Sequence, residues 1–133
     1  MEKIDWSDDF SVGVPELDNQ HQLILSEINK LIELKRSDSS SSEIGAVVSN
    51  IISYATKHLS YEEDLLIDND YPDYEQHYAK HNAYRNDFYT KLSSSGSSID
   101  EILAFLLHWW NDHILEEDMK YKAFFAQKRA EST

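Results

Sequence analysis

The chain has 133 residues, a net charge of −13 at pH 7 and no cysteine, which predicts a single domain (residues 1–133) without disulfide bonds, thiolate metal ligands or iron–sulfur clusters. Its acidity argues against nucleic acids and anionic membranes as partners, because both would repel it. The charged N-terminal residues do not resemble a signal peptide and the longest apolar run, residues 102–107, is too short to span a bilayer, so we expect a cytoplasmic protein.

Four segments of the chain repeat apolar residues at every third or fourth position, as amphipathic helices do. Serine-rich runs at 37–42 and 93–98, and a turn composition at 68–72, separate them. After an arm over residues 1–17, the predicted helices cover about residues 18–36, 41–66, 72–92 and 98–117, and a tail helix covers about 120–128. Short loops between helices of similar length imply antiparallel neighbours. We therefore predict an all-α fold, an antiparallel up-down-up-down four-helix bundle with an N-terminal arm and a short C-terminal helix.

Start signals accompany three of these helices. Ser40 precedes Glu43 by three residues, and Ser98 precedes Glu101 by the same step, which is the spacing of a capping box. Pro72 fits the first turn of the third helix, where its missing N–H costs no hydrogen bond. The second helix is thus predicted to begin after Ser40, the third at Pro72 and the fourth at Ser98.

The inward stripes of all four predicted helices include side chains that bind metals. In chain order these are His21; His58 and Glu62; His77 and His81; and His113, followed by Glu117 and Asp118. A four-residue step puts two side chains on one face of a helix, where they can reach the same ion. Burying five imidazoles and two carboxylates without partners would cost on the order of several kcal/mol per group. Metal coordination satisfies them together, so the pattern predicts a metal centre.

Seven protein ligands are too many for one ion but suit two octahedral ions, which offer twelve positions. Two bridging carboxylates fill four positions, five imidazoles fill five, and a single oxo or hydroxo bridge fills two. One position then remains open, and a centre with an open position binds or reacts rather than only stabilising the fold.

Spacing alone leaves the second carboxylate undecided. Glu117, four residues after His113, is the better placed candidate on a regular helix. Asp118 lies about 140° from the direction of His113, so its use would require a local distortion near the helix end. Glu63 points about 100° away from Glu62, and we expect the sixth histidine, His108, at the surface or beside the site rather than among the ligands.

Motifs along nearly the whole chain resemble the hemerythrin family, and specifically its bacterial single-domain members, the bacteriohemerythrins. The matching stretches are Trp6 to Phe10 with Ser11-Val12-Gly13-Val14, Leu17-Asp18-x-Gln20-His21, His58-x-x-Tyr61-Glu62-Glu63, Tyr71-Pro72-x-Tyr74-x-x-His77-x-x-x-His81, and Trp109-x-x-x-His113-Ile114-x-x-x-Asp118-x-x-Tyr121. In that family the last carboxylate is the aspartate five residues after the histidine, so the resemblance selects Asp118 over Glu117.

The resemblance also implies a cofactor of two iron ions (Fe2+/Fe3+) joined by an oxo or hydroxo bridge. It assigns His77, His81 and His113 to the first iron, His21 and His58 to the second, and Glu62 and Asp118 to both as bridges. The iron with two histidines is then the one that keeps an open position. The resemblance does not decide the role of Tyr121, which matches a family tyrosine near the site and could equally be a core residue.

The function that the resemblance implies is reversible dioxygen binding at this non-haem di-iron centre, for storage, transport or sensing, without enzymatic turnover. Neutral imidazoles stabilise high iron oxidation states less than carboxylates do, which opposes cleavage of the O–O bond. The alternatives are a di-iron oxidase, or a protein that handles nitric oxide or peroxide at the same site. Ferritin-like oxidases carry Glu-x-x-His on two helices, and the nearest match here is Asp18-Asn19-Gln20-His21.

A pocket that keeps water from bound dioxygen should be apolar. The candidates from the helix pattern are Ile24, Leu25, Leu59, Trp109, Trp110 and Ile114. Trp110 departs from the family, where a leucine is usual, so we expect a narrower pocket or access route. We also expect a monomer, with dioxygen as its ligand and an oxygen-using enzyme as recipient.

Overall fold

The computed structural model describes residues 3–37, 40–92 and 98–131, and its described part is helical without strands. The helices are α1 (Pro15–Arg36), α2 (Ser41–Asp68), α3 (Tyr74–Leu92), α4 (Ile99–Trp110) and α5 (Lys122–Glu131). A 3₁₀ turn, Asp8–Phe10, lies in the N-terminal arm, and the backbone between α4 and α5 forms a π-helical segment (Asn111–Glu117) and a 3₁₀ segment (Asp118–Tyr121). The all-α, four-helix prediction is confirmed. Residues 38–39 and 93–97 of the two serine-rich runs lie outside the described residues.

The first four helices form a closed ring of neighbours, in which α1 packs on α2, α2 on α3, α3 on α4, and α4 on α1. Two apolar clusters fill the bundle, a larger one and a smaller one near α5. Along α1, Leu17 belongs to the smaller cluster, His21 follows one turn later, and Ile24 begins the larger cluster. Along α2 the order is reversed, from Leu59 in the larger cluster to Leu66 in the smaller one. The buried histidines therefore form a polar layer between two apolar ones.

Helix starts follow local chemistry, and both α1 and α3 start away from the expected residues. Helix α1 begins at Pro15, three residues early, because proline at the first helical position has the required φ and needs no hydrogen bond for its nitrogen. Helix α3 begins at Tyr74, because Asp70 adopts a φ of 54° and Pro72 lies in the turn that follows. The side chains of Ser40 and Ser98 accept the N–H groups of their capping-box glutamates.

Hydrogen bonds near both ends of the N-terminal arm hold it to the bundle. The backbone N–H and carbonyl of Ile4 both bond the Asn29 side chain, at 2.9 and 2.8 Å. Further along, Gly13 adopts a φ of 77°, which only glycine tolerates readily, and its carbonyl accepts a 2.6 Å hydrogen bond from Arg129 of α5. The arm and the C-terminal helix are thereby joined across the end of the bundle. No helix in the described part of the chain is both long and apolar enough to cross a membrane.

Candidate metal centre

All seven side chains predicted as ligands converge in the polar layer. They are buried, and their donor atoms form two overlapping groups whose members lie within 4.8 Å of one another. One group contains His21, His58, Glu62, His113 and Asp118, and the other contains Glu62, His77, His81 and Asp118. The two carboxylates belong to both groups, which is the arrangement required for a pair of bridged ions.

Glu62 directs its two oxygens towards different histidines. Its Oε1 lies 2.5 Å from Nε2 of His77 and 2.9 Å from Nε2 of His81. Its Oε2 lies 3.2 Å from Nε2 of His58 and accepts a 3.1 Å hydrogen bond from the hydroxyl of Tyr121. Tyr121 is fully buried and also belongs to the smaller apolar cluster, so it has both roles that the sequence left open.

Asp118 spans the centre in the same way from the opposite chain segment. Its Oδ2 lies 3.0 Å from Nε2 of His21 and 3.2 Å from Nε2 of His113, while its Oδ1 lies 3.3 Å from Nε2 of His77. Each carboxylate therefore presents one oxygen to each donor group.

The π-helical segment explains how Asp118 reaches this position. The N–H of Asp118 donates to the carbonyl of His113, five residues earlier, instead of the carbonyl four residues earlier that an α-helix would use. This wider turn is the distortion that spacing alone required for Asp118. Glu117, the carboxylate favoured by a regular helix, instead forms a 2.9 Å ion pair with Lys120 and belongs to neither donor group.

His113 lies between the two donor groups. The centroid of its ring is 5.2 Å from those of both His58 and His81. Its Nε2, however, lies 3.0 Å from Nε2 of His58, and the donor distances group it with His21 and His58. The family pattern instead assigns it to the ion held by His77 and His81, so the division of the histidines between two ions stays a prediction.

Two histidines are oriented by outer hydrogen bonds that the sequence pattern did not reveal. The Nδ1–H of His58 donates to Oε1 of Gln20 at 2.8 Å, and the Nδ1–H of His81 donates to Oε2 of Glu63 at 2.7 Å. Because both acceptors lie on the far side of the rings, each Nε2 keeps its lone pair for the centre. Gln20 and Glu63 stand beside His21 and Glu62 in sequence and belong to the motifs that resemble the hemerythrin family, but neither signal indicates which ring they contact.

The polar layer contains carboxylate oxygens that a cation would satisfy. Both oxygens of Asp118 are buried without a hydrogen-bond partner among the described residues. An octahedral ion with ligand bonds of about 2.1 Å separates neighbouring donors by about 3.0 Å. The carboxylate contacts of His21, His81 and His113, at 3.0, 2.9 and 3.2 Å, match that edge. The donor set therefore fits metal ions.

Burial shifts the proton affinities of these groups in different directions. Desolvation lowers the pKa of His21 and of His113 well below the usual value, so both rings are neutral, as metal ligands must be. Burial, with the charge of Glu62, raises the pKa of Asp118 well above its usual value. Burial also opposes the charge on His58, but the nearby carboxylates of Asp118 and Glu62 outweigh burial and raise the pKa of His58 to about 9. The protein without metal would thus hold protons that bound ions displace.

The predicted pocket residues are all buried in the larger apolar cluster. These are Ile24, Leu25, Leu59, Trp109, Trp110 and Ile114. The two tryptophans cover different sides of the centre: Trp109 stacks on His113 with an interplanar angle of 8°, whereas Trp110 lies edge-on to His21 with the ring centroids 6.4 Å apart. His108 is exposed, as expected for a histidine outside the ligand set.

Comparisons with known proteins match most of this chain. Residues 12–125 match the family model described as the hemerythrin HHE cation binding domain. The bacteriohemerythrin of Stenotrophomonas maltophilia is 28% identical over 119 residues, 87% of this chain and 77% of that protein. The bacteriohemerythrin of Clostridium acetobutylicum is 29% identical over 128 residues, 87% of this chain and 96% of that protein. The myohemerythrin of Riftia pachyptila is 27% identical over 118 residues, 88% and 89% of the two chains.

Proposed function

Because the chain belongs to the hemerythrin family, we propose that its metal centre holds two iron ions and binds dioxygen reversibly. The observation that carries this proposal is the pair of carboxylates, Glu62 and Asp118. Each directs one oxygen towards the first donor group and the other oxygen towards the second. Two ferrous ions bound there would supply two electrons to dioxygen. His77, His81 and His113 would bind one ion, and His21 and His58 the other, which would keep an open position.

The surrounding residues orient the ligands and exclude water. Gln20 holds the ring of His58, and the hydroxyl of Tyr121 donates to Oε2 of Glu62, which fixes that carboxylate across both donor groups. The polar layer lies between the two apolar clusters, and Trp110 closes it beside His21. A dry environment favours release of unaltered dioxygen, because water or protons at the open position would promote irreversible oxidation of the iron.

The donor set favours binding over oxidation of a substrate. Five neutral imidazoles and two carboxylates supply less negative charge than the carboxylate-rich sets of ferritin-like oxidases. A further acid, Glu63, accepts a hydrogen bond from the outer nitrogen of His81 and belongs to neither donor group. Reversible binding is therefore favoured over an oxidase activity.

Metal analysis combined with optical spectroscopy tests the proposal. We expect two irons per chain and an optical change on adding oxygen to the ferrous protein that reverses under vacuum. The Asp118→Asn variant should lose iron, while Glu117→Gln, a matched change at the neighbouring carboxylate, should retain it. One zinc per chain would contradict the proposal, and irreversible oxygen consumption with substrate turnover would support the oxidase alternative.

A further inference from the structure

We infer that Glu63 and Arg85 form a positioning pair that tunes the metal ion bound by His81, with Glu63 strengthening the histidine as a ligand and Arg85 moderating that effect. The inference rests on the proposed function, since it concerns one ion of the proposed pair. Neither residue is a ligand. Both act through the outer nitrogen of His81.

The contacts form a continuous chain from the helix surface to the centre. Oε2 of Glu63 accepts a 2.7 Å hydrogen bond from Nδ1 of His81 and lies 2.7 Å from Nη1 of Arg85. Nη2 of Arg85 donates to the other oxygen, Oε1, at 2.9 Å. The guanidinium thus binds the carboxylate through both of its oxygens, in the two-pronged geometry that fixes a carboxylate most firmly. The Glu63 side chain is 13% exposed and that of Arg85 is 31% exposed, so the pair is partly screened from water.

An ionised carboxylate that accepts a hydrogen bond from Nδ1 of a histidine changes the strength of Nε2 as a metal ligand. Glu63, ionised beside Arg85, can only accept a hydrogen bond, so the proton of His81 stays on Nδ1 and the lone pair of Nε2 faces Oε1 of Glu62 at 2.9 Å. By accepting the hydrogen bond from Nδ1, the carboxylate makes Nε2 more electron-rich and a better ligand for a ferric ion. Arg85 competes for the same carboxylate charge and weakens this effect. The two residues therefore act on His81 in opposite directions.

The two histidines proposed for the other ion, His21 and His58, lack such a partner. The outer acceptor of His58 is the neutral amide oxygen of Gln20. The Nδ1 atom of His21 has no hydrogen-bond partner among the described residues. The ion bound by His81 should therefore be held more tightly and should favour its ferric state more than the other ion. This difference would keep the second ion as the more labile one.

Three variants separate this role from simple cross-linking of α2 and α3. We would measure the midpoint potentials of the two irons and their loss to a chelator in Glu63→Gln, Arg85→Met and the double variant. Glu63→Gln should raise the potential of one iron and weaken its binding by about 10- to 100-fold, the range usual for outer partners of metal ligands. Arg85→Met should lower the same potential. The double variant should match Glu63→Gln, because Arg85 acts only through Glu63.

The remaining outcomes are equally decisive. Asp64→Asn, an exposed neighbour on α2, removes the same charge without touching a ligand and should leave both properties as in the wild type. A double variant that returns to wild-type values would show an effect of bulk charge and would overturn the inference, as would potentials that move in the same direction in both single variants. If Glu63→Gln does not fold, the midpoint potential of Arg85→Met decides: a lowered potential supports the inference, and an unchanged or raised potential overturns it. Failure of the wild-type chain to bind two irons would instead refute the proposed function itself.

Discussion

Truncation of Trp110 to alanine should both destabilise the protein and shorten the life of its oxygenated form. Trp110 is 1% exposed, and its ring centroid lies 6.2 Å from that of Phe10 in the arm and 6.4 Å from that of His21. Removing a fully buried tryptophan costs about 3–5 kcal/mol, which increases the unfolding constant roughly a hundredfold to a few thousandfold. This loss is a large part of the stability of about 5–15 kcal/mol that is typical of a domain.

The cavity left by Trp110→Ala would lie beside His21, one of the two histidines proposed for the ion with an open position. Water entering there should accelerate autoxidation. The half-life of the oxygenated form is measured from the decay of its optical spectrum at constant temperature, and urea unfolding of the same variant reports its free energy of unfolding.

Trp109→Ala is the matched control. Trp109 is also buried, at 2% exposed, but it stacks on His113 rather than lying beside His21. We expect a similar loss of stability with a smaller increase in the autoxidation rate. An unchanged rate in Trp110→Ala, or a larger increase in Trp109→Ala, would refute the proposed location of the open position.

Three further predictions concern the loaded centre and its protons. Removing the metal should lower the melting temperature measured by calorimetry, because seven polar side chains then face one another in the core; equal melting temperatures would contradict this. Loss of the Asp118 carboxylate should release metal, whereas loss of the neighbouring Glu117 carboxylate should not, so metal content measured by mass spectrometry should fall in Asp118→Asn and persist in Glu117→Gln. The reverse result would support Glu117 as the ligand, as a regular helix predicts. The apoprotein should lose stability as the pH falls below about 6.5, because the unfolded chain then takes up protons on His21 and His113 whose folded pKa values are lowered, while the raised pKa of Asp118 offsets part of the loss. Urea unfolding between pH 6.5 and 5 measures this slope, and a rise in stability towards pH 5 would be inconsistent with it.

The helices and their inward histidines could be predicted because both depend on local periodicity. Apolar residues that repeat with the helical period identify the face that must be buried, and a histidine or glutamate on the same stripe must be buried with them. His58 with Glu62, and His77 with His81, follow from the four-residue step alone. The capping serines Ser40 and Ser98 were equally visible, since a cap involves only neighbours along the chain.

The outer partners of the histidines could not be predicted in this way. Whether Glu63 meets His81 or solvent depends on how α2 and α3 are rotated against each other, and the same holds for Gln20 of α1 and His58 of α2. The residue pattern of one helix cannot predict that rotation, because the rotation results from the packing of side chains from two helices. The structure was therefore needed to find the residues that tune the centre.

The composition and spacing of this chain are sufficient to specify an all-α bundle with a layer of histidine and carboxylate side chains in its core. The choice between Glu117 and Asp118 was made by the folded backbone. A regular α-helix is the default for an isolated segment, and the π-helical turn that joins Asp118 to the carbonyl of His113 gives up that hydrogen-bond pattern. Such a turn persists only where the surrounding fold stabilises it, and here it brings Asp118 opposite Glu62, at the point where both donor groups meet.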